Sequence, residues 1–221
     1  LVEGMAGAVV KMARCCAPLP GDTIEGFITQ GRGISVHRAD CRSLELVHRL
    51  DRDTSGCVMI AKKRSMLRHL HEALREGTIT KTYITLVQGR WPQRLTRVTL
   101  ALEKNTVRGG ERMVRADEAG KASETRFRVL EVLRDATLLE AQPVTGRTHQ
   151  IRVHAQVSGH PVAGDEKYGE REFNRQMREF GLRRLFLHAG SIELSLPDGQ
   201  PLVVSAPLDV ALTKVLETLP R

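Results

Sequence analysis

An α+β fold built on a largely antiparallel sheet is predicted by three features of this 221-residue sequence. Segments patterned as strands outnumber those patterned as helices. The two kinds do not alternate, so the βαβ units of a parallel sheet are not indicated. Apolar residues make up 41% of the chain but aromatics only 4%, so a sizeable core is available and Val, Leu, Ile and Ala must fill it.

The front of the chain reads as short strands and turns. Ala8-Val9-Val10 is a brief apolar run, and Pro18-Leu19-Pro20-Gly21-Asp22 is a turn cluster. Residues 24–29 alternate as a strand does, and Gly31-Arg32-Gly33 turns the chain into a second strand over 34–37. Residues 39–46 suit one or two helical turns. Residues 1–46 therefore make a small β-rich module, near the lower limit of size for independent folding.

Residues 47–221 mix both kinds of element. A strand is expected over 57–62. Ser65 is placed to cap a helix whose apolar stripe, Leu67, Leu70, His71 and Leu74, runs up to Gly77. Strands follow over 79–88, 95–102, 112–116, 123–133 and 137–143. In the first of these, Tyr83, Thr85 and Val87 share one face and Ile84 and Leu86 the other. A helix over 173–180 precedes strands over 185–196 and 202–205, joined by a Pro197-Asp198-Gly199 turn, and a helix over 208–219 closes the chain. Residues 150–157 stay open: apolar side chains at 151, 153, 155 and 157 alternate like a strand, whereas Thr148 and Gly159 are good helix start and stop signals.

The net charge of +8 is unevenly placed. Residues 1–46 carry five basic and five acidic side chains, and the remaining 29 basic and 21 acidic residues supply the whole excess. A basic domain behind a neutral one suggests a polyanionic partner for the basic part, although a solvated basic surface has the same composition. The four cysteines, Cys15, Cys16, Cys41 and Cys57, do not form a dense secreted framework, so a reducing, cytoplasmic setting is expected. Cys57, in an apolar run, reads as an inert core residue. No apolar run of roughly 18 residues is present, so no membrane-spanning helix is expected. The opening Leu1-Val2-Glu3 lacks the basic start of a signal peptide, and without an initiator Met the sequence is expected to be a piece of a longer chain.

Three clusters carry chemistry. His48-Arg49-Leu50-Asp51-Arg52-Asp53-Thr54-Ser55-Gly56 packs two carboxylates, two guanidiniums and two hydroxyls between apolar flanks. A surface turn with local ion pairs has the same make-up. Lys81-Thr82-Tyr83 places one of only two tyrosines mid-strand. It suits either core packing or a platform on which a base stacks. In Thr145-Gly146-Arg147-Thr148-His149-Gln150-Ile151-Arg152-Val153-His154, Arg152 lies between apolar residues and needs an anionic partner, for which a carboxylate of the first cluster is the candidate.

Together these motifs resemble a known family. His48-Arg49-Leu50-Asp51 followed by Thr54-Ser55-Gly56 is similar to the signature loop of Rlu-type pseudouridine synthases. Lys81-x-Tyr83, the Gly146–His154 segment, Arg184-Leu185-Phe186-Leu187-His188-Ala189 and Ala206-Pro207 match that family's other motifs in order. The resemblance runs from about Glu45 to the end and is closest to members that act on large-subunit ribosomal RNA. It implies the pseudouridine-synthase fold, with flanking helices on a mixed, largely antiparallel central sheet. It also implies isomerisation of uridine to pseudouridine with Asp51 as the catalytic carboxylate, Arg152 paired to it, and Tyr83 packed against a flipped uracil. Arg49, Arg147, His149 and Leu187 would meet the RNA, Leu187 as a wall of the pocket. No metal or organic cofactor would be required, and the expected state is a monomer. The open stretch 148–158 becomes a helix.

Residues 1–44 resemble a different family. Arg14-Cys15-Cys16-x-Pro18-x-Pro20-Gly21-Asp22 and Gly26–Cys41 are similar to the small Cys-containing regulatory module of long stringent-response alarmone synthetase/hydrolases. Cys15, Cys16, His37 and Cys41 are a candidate zinc set, the last two sharing a face if helical. Synthases of the Rlu type carry a strand before the signature loop that this sequence lacks. A chain that binds RNA without turnover is therefore the competing reading.

Overall fold

The structure is a computed structural model that describes residues 10–12, 17, 19, 24–29, 33–38, 45–106 and 112–221. The chain divides into two compact units, residues 1–47 with 60–68, and residues 48–59 with 69–221.

In the first unit, β1 (Val10–Met12), β2 (Ile24–Thr29) and β3 (Gly33–Arg38) form a sheet in the order β1-β3-β2. β2 and β3 are an antiparallel hairpin with Gly26 opposite Val36, and β1 lies parallel to β3. β4 (Glu45–Leu46) pairs antiparallel with a later two-residue strand. The helical turns expected over 39–46 are thus not found at 45–46, where the chain is extended; residues 39–44 lie outside the described residues. His37 lies in β3, so the helical premise that would set it on one face with Cys41 fails. Cys15, Cys16 and Cys41 lie outside the described residues, among which no group of three His, Cys, Asp or Glu is arranged to hold a metal.

Residues 57–62 are not a single strand. β5 (Ser55–Gly56) ends before them and β6 (Ile60–Ala61), the partner of β4, occupies only their last part. The helix α1 (Arg64–Glu76) starts before Ser65, which therefore lies inside the first turn and does not cap it. The first amide of that ladder, Leu67 N–H, donates to the Lys63 carbonyl at 3.0 Å.

The second unit carries the main sheet. Its strands are β7 (Thr80–Gln88), β8 (Arg97–Thr106), β9 (Arg112–Ala116), β10 (Lys121–Val132) and β11 (Ala136–Pro143). The helices α2 (Gln150–Val157) and α3 (Arg171–Glu179) follow, then β12 (Leu187–Ser195), β13 (Pro201–Ser205) and α4 (Val210–Thr218). Their order is β13-β12-β7-β11-β10-β8-β9, antiparallel throughout, with β5 added parallel to β12. The expected α+β class and largely antiparallel sheet are what the chain adopts.

β7 sits mid-sheet because both of its faces are covered. Ile84 and Leu86 join a core with Phe173 and Met177 of α3 and Leu212 and Val215 of α4. Tyr83 and Val87, on the opposite face, join Ile151 and Ala155 of α2 and Leu187 of β12. Burying each such side chain contributes about 1.5–3 kcal/mol. Glu170 caps α3, accepting from Glu172 and Phe173 amides at 2.8 and 2.6 Å, and Asp209 caps α4, accepting from Leu212 at 3.0 Å. Trp91 is buried against Phe127 with its indole N–H donated to the Leu95 carbonyl, so it is a core residue.

The stretch left open by periodicity, 150–157, is helical. Gln150 through Ala155 are all buried. With six consecutive positions buried and exposure confined to Gln156 and Val157 at its end, the 3.6-residue rhythm of an amphipathic stripe never appears in the sequence. Among the described residues no helix is long and apolar enough to cross a membrane.

Candidate active site

The signature loop is held in one shape by backbone and side chains together. Thr54 N–H donates to the Asp51 carbonyl at 3.0 Å, closing a turn in which Asp53 adopts a left-handed conformation (φ 67). Ser55 and Gly56 then pair with His188 and Ala189. Gly56 has φ 106, and a Cβ there would land inside the Ala189 backbone, so only glycine fits. Ser55 Oγ donates to Asp209 Oδ2 at 2.9 Å and stands 2.8 Å from His188 Nδ1. Arg184 donates to the Asp53 carbonyl at 2.7 Å and to Ser55 Oγ at 2.9 Å, and it is ion-paired with Asp209. The cap of the last helix is thus also an anchor of the loop that carries Asp51.

Arg152 projects from α2 toward that loop. Its Nη1 lies 3.3 Å from Asp51 Oδ2, while Nε and Nη2 donate to the two oxygens of Asp165 at 2.7 and 2.8 Å. The Arg152 side chain is 10% exposed, Asp165 0% and Asp51 23%, so the pair with Asp165 is buried and Asp51 is the carboxylate that solvent and ligands reach. The guanidinium also lies 4.9 Å from the ring centroid of Tyr168. Burial opposes ionisation at Asp165, yet the Arg152 hydrogen bonds and charge and the Tyr168 and Lys167 amides hold its carboxyl below the ordinary value. Arg152 is likewise held above its ordinary value: burial works against the charge, and the Asp165 and then Asp51 contacts outweigh it.

Tyr83 stands on the α2 face of β7, opposite Ala189 and Ala141. Burial first, then the Asp51 carboxylate and Cys57, pushes its phenol up to about 12. The ring is therefore neutral, and Asp51 lies close enough to act on it. Leu187 is buried in the same apolar cluster against which Tyr83 packs. His149 adopts φ 52 just before α2, and its Nδ1 lies 2.8 Å from Tyr168 Oη. Arg147 is exposed and donates through Nε to the Ala122 carbonyl at 3.1 Å, and Arg49 is exposed on the loop. Lys81 is half-buried, and burial lowers its amine below the ordinary value.

The loop before α2 is organised by Gln150. Its Oε1 accepts from Thr145 Oγ1 and the Arg147 amide, and its Nε2 donates to Glu124 O and Thr125 Oγ1. Asp165, Tyr168, Arg184, His188 and Asp209 were not expected from sequence as parts of this site. Tyr168, the chain's second tyrosine, is as scarce a residue type as Tyr83 and stands in a polar Asp165-Glu166-Lys167-Tyr168 run after apolar Val162-Ala163. That signal was available.

Residues 34–157 match the model of the RNA pseudouridylate synthase family, and residues 1–55 match that of the RelA/SpoT RIS domain. The chain is 56% identical over 183 residues to ribosomal large subunit pseudouridine synthase C of Pasteurella multocida, covering 82% of this chain and 56% of that protein. It is 52% identical over 190 residues to the Escherichia coli K12 protein of the same name, covering 85% and 60%. The chain thus spans little more than half the length of these relatives. Among solved structures, human RNA pseudouridylate synthase domain containing 1 superposes with TM-score 0.63 at 30% identity, covering 75% of this chain and 69% of that one. Human RNA pseudouridylate synthase domain containing 4 gives 0.64 at 25% identity, covering 79% and 75%.

Proposed function

This chain belongs to the RNA pseudouridylate synthase family, and we propose that residues 47–221 isomerise uridine to pseudouridine in large-subunit ribosomal RNA. Asp51 is the catalytic carboxylate. The observation that carries this reading is the partly exposed Asp51 set against a buried Arg152 whose other two nitrogens are committed to Asp165. An ionised carboxylate beside a fixed cation is aimed and ready to meet an electrophilic carbon or to take a proton. The isomerisation breaks the bond from ribose to uracil N1 and forms one to C5. The hydrogen displaced from C5 is balanced by one gained at N1, so no co-reactant is consumed and no cofactor is called on.

The base must leave its stack to reach Asp51. Tyr83 offers a neutral ring for it to pack against, beside the apolar cluster that holds Leu187. Arg49, on the loop that carries Asp51, and Arg147 and His149, on the loop that precedes α2, are the proposed RNA contacts. The excess positive charge beyond residue 46 supports a polyanionic partner. We place the boundary between the front module and the catalytic part at residues 46 and 47, and a ribosomal substrate implies action in the cytoplasm.

Because the chain spans 56–60% of its relatives' length, RNA binding without turnover is the second reading. The purified chain, incubated with unmodified large-subunit ribosomal RNA and mapped for pseudouridine, separates the two. New pseudouridine that vanishes with Asp51→Asn, while RNA affinity stays within about twofold, is the expected result. RNA that stays unmodified with a folded protein gives the lead to the binding reading.

A further inference from the structure

A backbone amide can only donate a hydrogen bond, and a phenol carries a single hydrogen. Val114, in β9, donates its N–H to Tyr168 Oη at 2.9 Å. The same oxygen lies 2.8 Å from His149 Nδ1. Tyr168 is 3% exposed. Were His149 to donate from Nδ1, the phenol oxygen would accept twice and its own hydrogen would be buried without an acceptor, at a cost of about 1–3 kcal/mol. The low-energy arrangement has Tyr168 O–H donating to Nδ1. The imidazole then carries its hydrogen on Nε2.

That second nitrogen is free. No protein group accepts from His149 Nε2 among the described residues, whose buried and partnerless polar side-chain atoms are Thr54 Oγ1 and His154 Nδ1. His149 Nε2 is therefore open to solvent, on a ring that feels the Asp51 carboxylate. Burial, ahead of the opposing charges around it, lowers the imidazole from its ordinary value and keeps it neutral at pH 7. The backbone adds an independent observation: His149 sits at φ 52, an uncommon conformation for a residue with a side chain, costing of order 1 kcal/mol and met most often where a group must be aimed.

We propose that His149 is a donor of fixed tautomer. It presents Nε2–H to a neutral oxygen, a uracil carbonyl or a ribose hydroxyl, of the nucleotide that meets Asp51. Tyr168, itself held by the Val114 amide, is the positioning residue that sets the tautomer. The proposal rests on the reading of Asp51 as the carboxylate that meets uridine, but its first test does not need turnover.

Nitrogen-15 spectra of the full chain with labelled histidine report which ring nitrogen bears the hydrogen. Nδ1 bare and Nε2 protonated at pH 7 is the expected result. A hydrogen on Nδ1, or on both nitrogens, overturns the assignment whether or not the protein makes pseudouridine. Tyr168→Phe, which keeps the ring and removes the O–H, is expected to give a mixed tautomer; an unchanged one removes Tyr168 from its role. Titration with an unmodified ribosomal RNA transcript is expected to move the Nε2–H resonance, and a resonance that stays put at saturation refutes the donor role. If the chain turns over, His149→Gln, whose amide nitrogen replaces Nε2, is expected to keep more activity than His149→Asn, whose amide replaces Nδ1, by about fivefold to tenfold in kcat/KM. Equal activities refute it. Transcripts carrying 4-thiouridine or 2′-deoxyuridine identify the acceptor: whichever abolishes the Gln–Asn difference has lost the oxygen that His149 meets, and a difference that survives both excludes uracil O4 and the 2′-hydroxyl in favour of uracil O2.

Discussion

Asp51 meets only the Nη1 corner of Arg152, at 3.3 Å, because Asp165 occupies the other two nitrogens at 2.7 and 2.8 Å. The cation next to the proposed catalytic carboxylate is thus held by a different carboxylate whose side chain is fully buried. Among the described residues this division leaves the Asp51 carboxylate one hydrogen-bonded side chain, Arg152, and a part open to solvent.

Asp165→Asn keeps the shape but leaves Arg152 a buried charge with half its compensation. It is expected to cost about 3–5 kcal/mol of folding stability and to lower turnover more than RNA affinity. Chemical denaturation with parallel rate and binding measurements checks this. A loss below about 1 kcal/mol would show that Asp51 and solvent suffice to hold Arg152.

Tyr83 is expected to act as an apolar ring. With its phenol pushed up to about 12 it stays neutral in the working range, so it adds no alkaline step to the rate below about pH 11. Tyr83→Phe should keep turnover within about tenfold, whereas Tyr83→Ala should lower it at least about a hundredfold. A Phe variant as damaged as Ala would assign the hydroxyl a direct part.

Gly56→Ala tests the seat of the loop. An added Cβ would collide with the Ala189 backbone, at a φ of 106 that alanine avoids. A destabilisation of about 2 kcal/mol or more is expected, with turnover lost beyond the fraction unfolded. Thermal melts paired with rates on the folded fraction decide it.

The anchor of the loop is reachable separately. Asp209→Asn should keep the α4 cap through its side-chain oxygen but remove the charge that pairs with Arg184 and accepts from Ser55. We expect kcat to fall by about tenfold with KM for RNA little changed, since the variant disturbs only the posture of Asp51. An effect confined to KM would contradict this.

Acid sensitivity follows from two histidines, His48, which is half-buried, and His154, which is buried. His48 and His154 are both lowered to about 4 in the folded chain, His48 by burial and then Lys81, His154 by burial alone. Their folded values lie below the ordinary 6.5, so the unfolded chain takes up protons first and stability rises with pH in this window. The contribution is whole above about 6.5 and is lost as pH falls toward 4, up to about 3 kcal/mol for each group. Denaturation midpoints between pH 7 and 4.5 measure it, and replacing His154 by Asn is expected to flatten the slope.

Much of the site was legible in the chain. Asp51, Tyr83 and Arg152 belong to short motifs whose residue types state their chemistry, and the need of a buried arginine for a carboxylate linked residues 101 positions apart before any fold was known. Strand patterning set the sheet class, and the two faces of β7 follow because successive side chains of any strand point to opposite sides of the sheet. Other features have no local signature. The α2 helix hides its rhythm because every position from 150 to 155 is buried. Ser65 looks like a cap but lies within α1, since its role depends on where the preceding chain turns. The clamp of Asp165 on Arg152 and the tie of Asp209 to Ser55 join a loop, two helices and a strand end. Only packing decides which carboxylate lands beside which cation, because that outcome depends on how α2 and α4 sit on opposite faces of one sheet and not on any spacing along the chain.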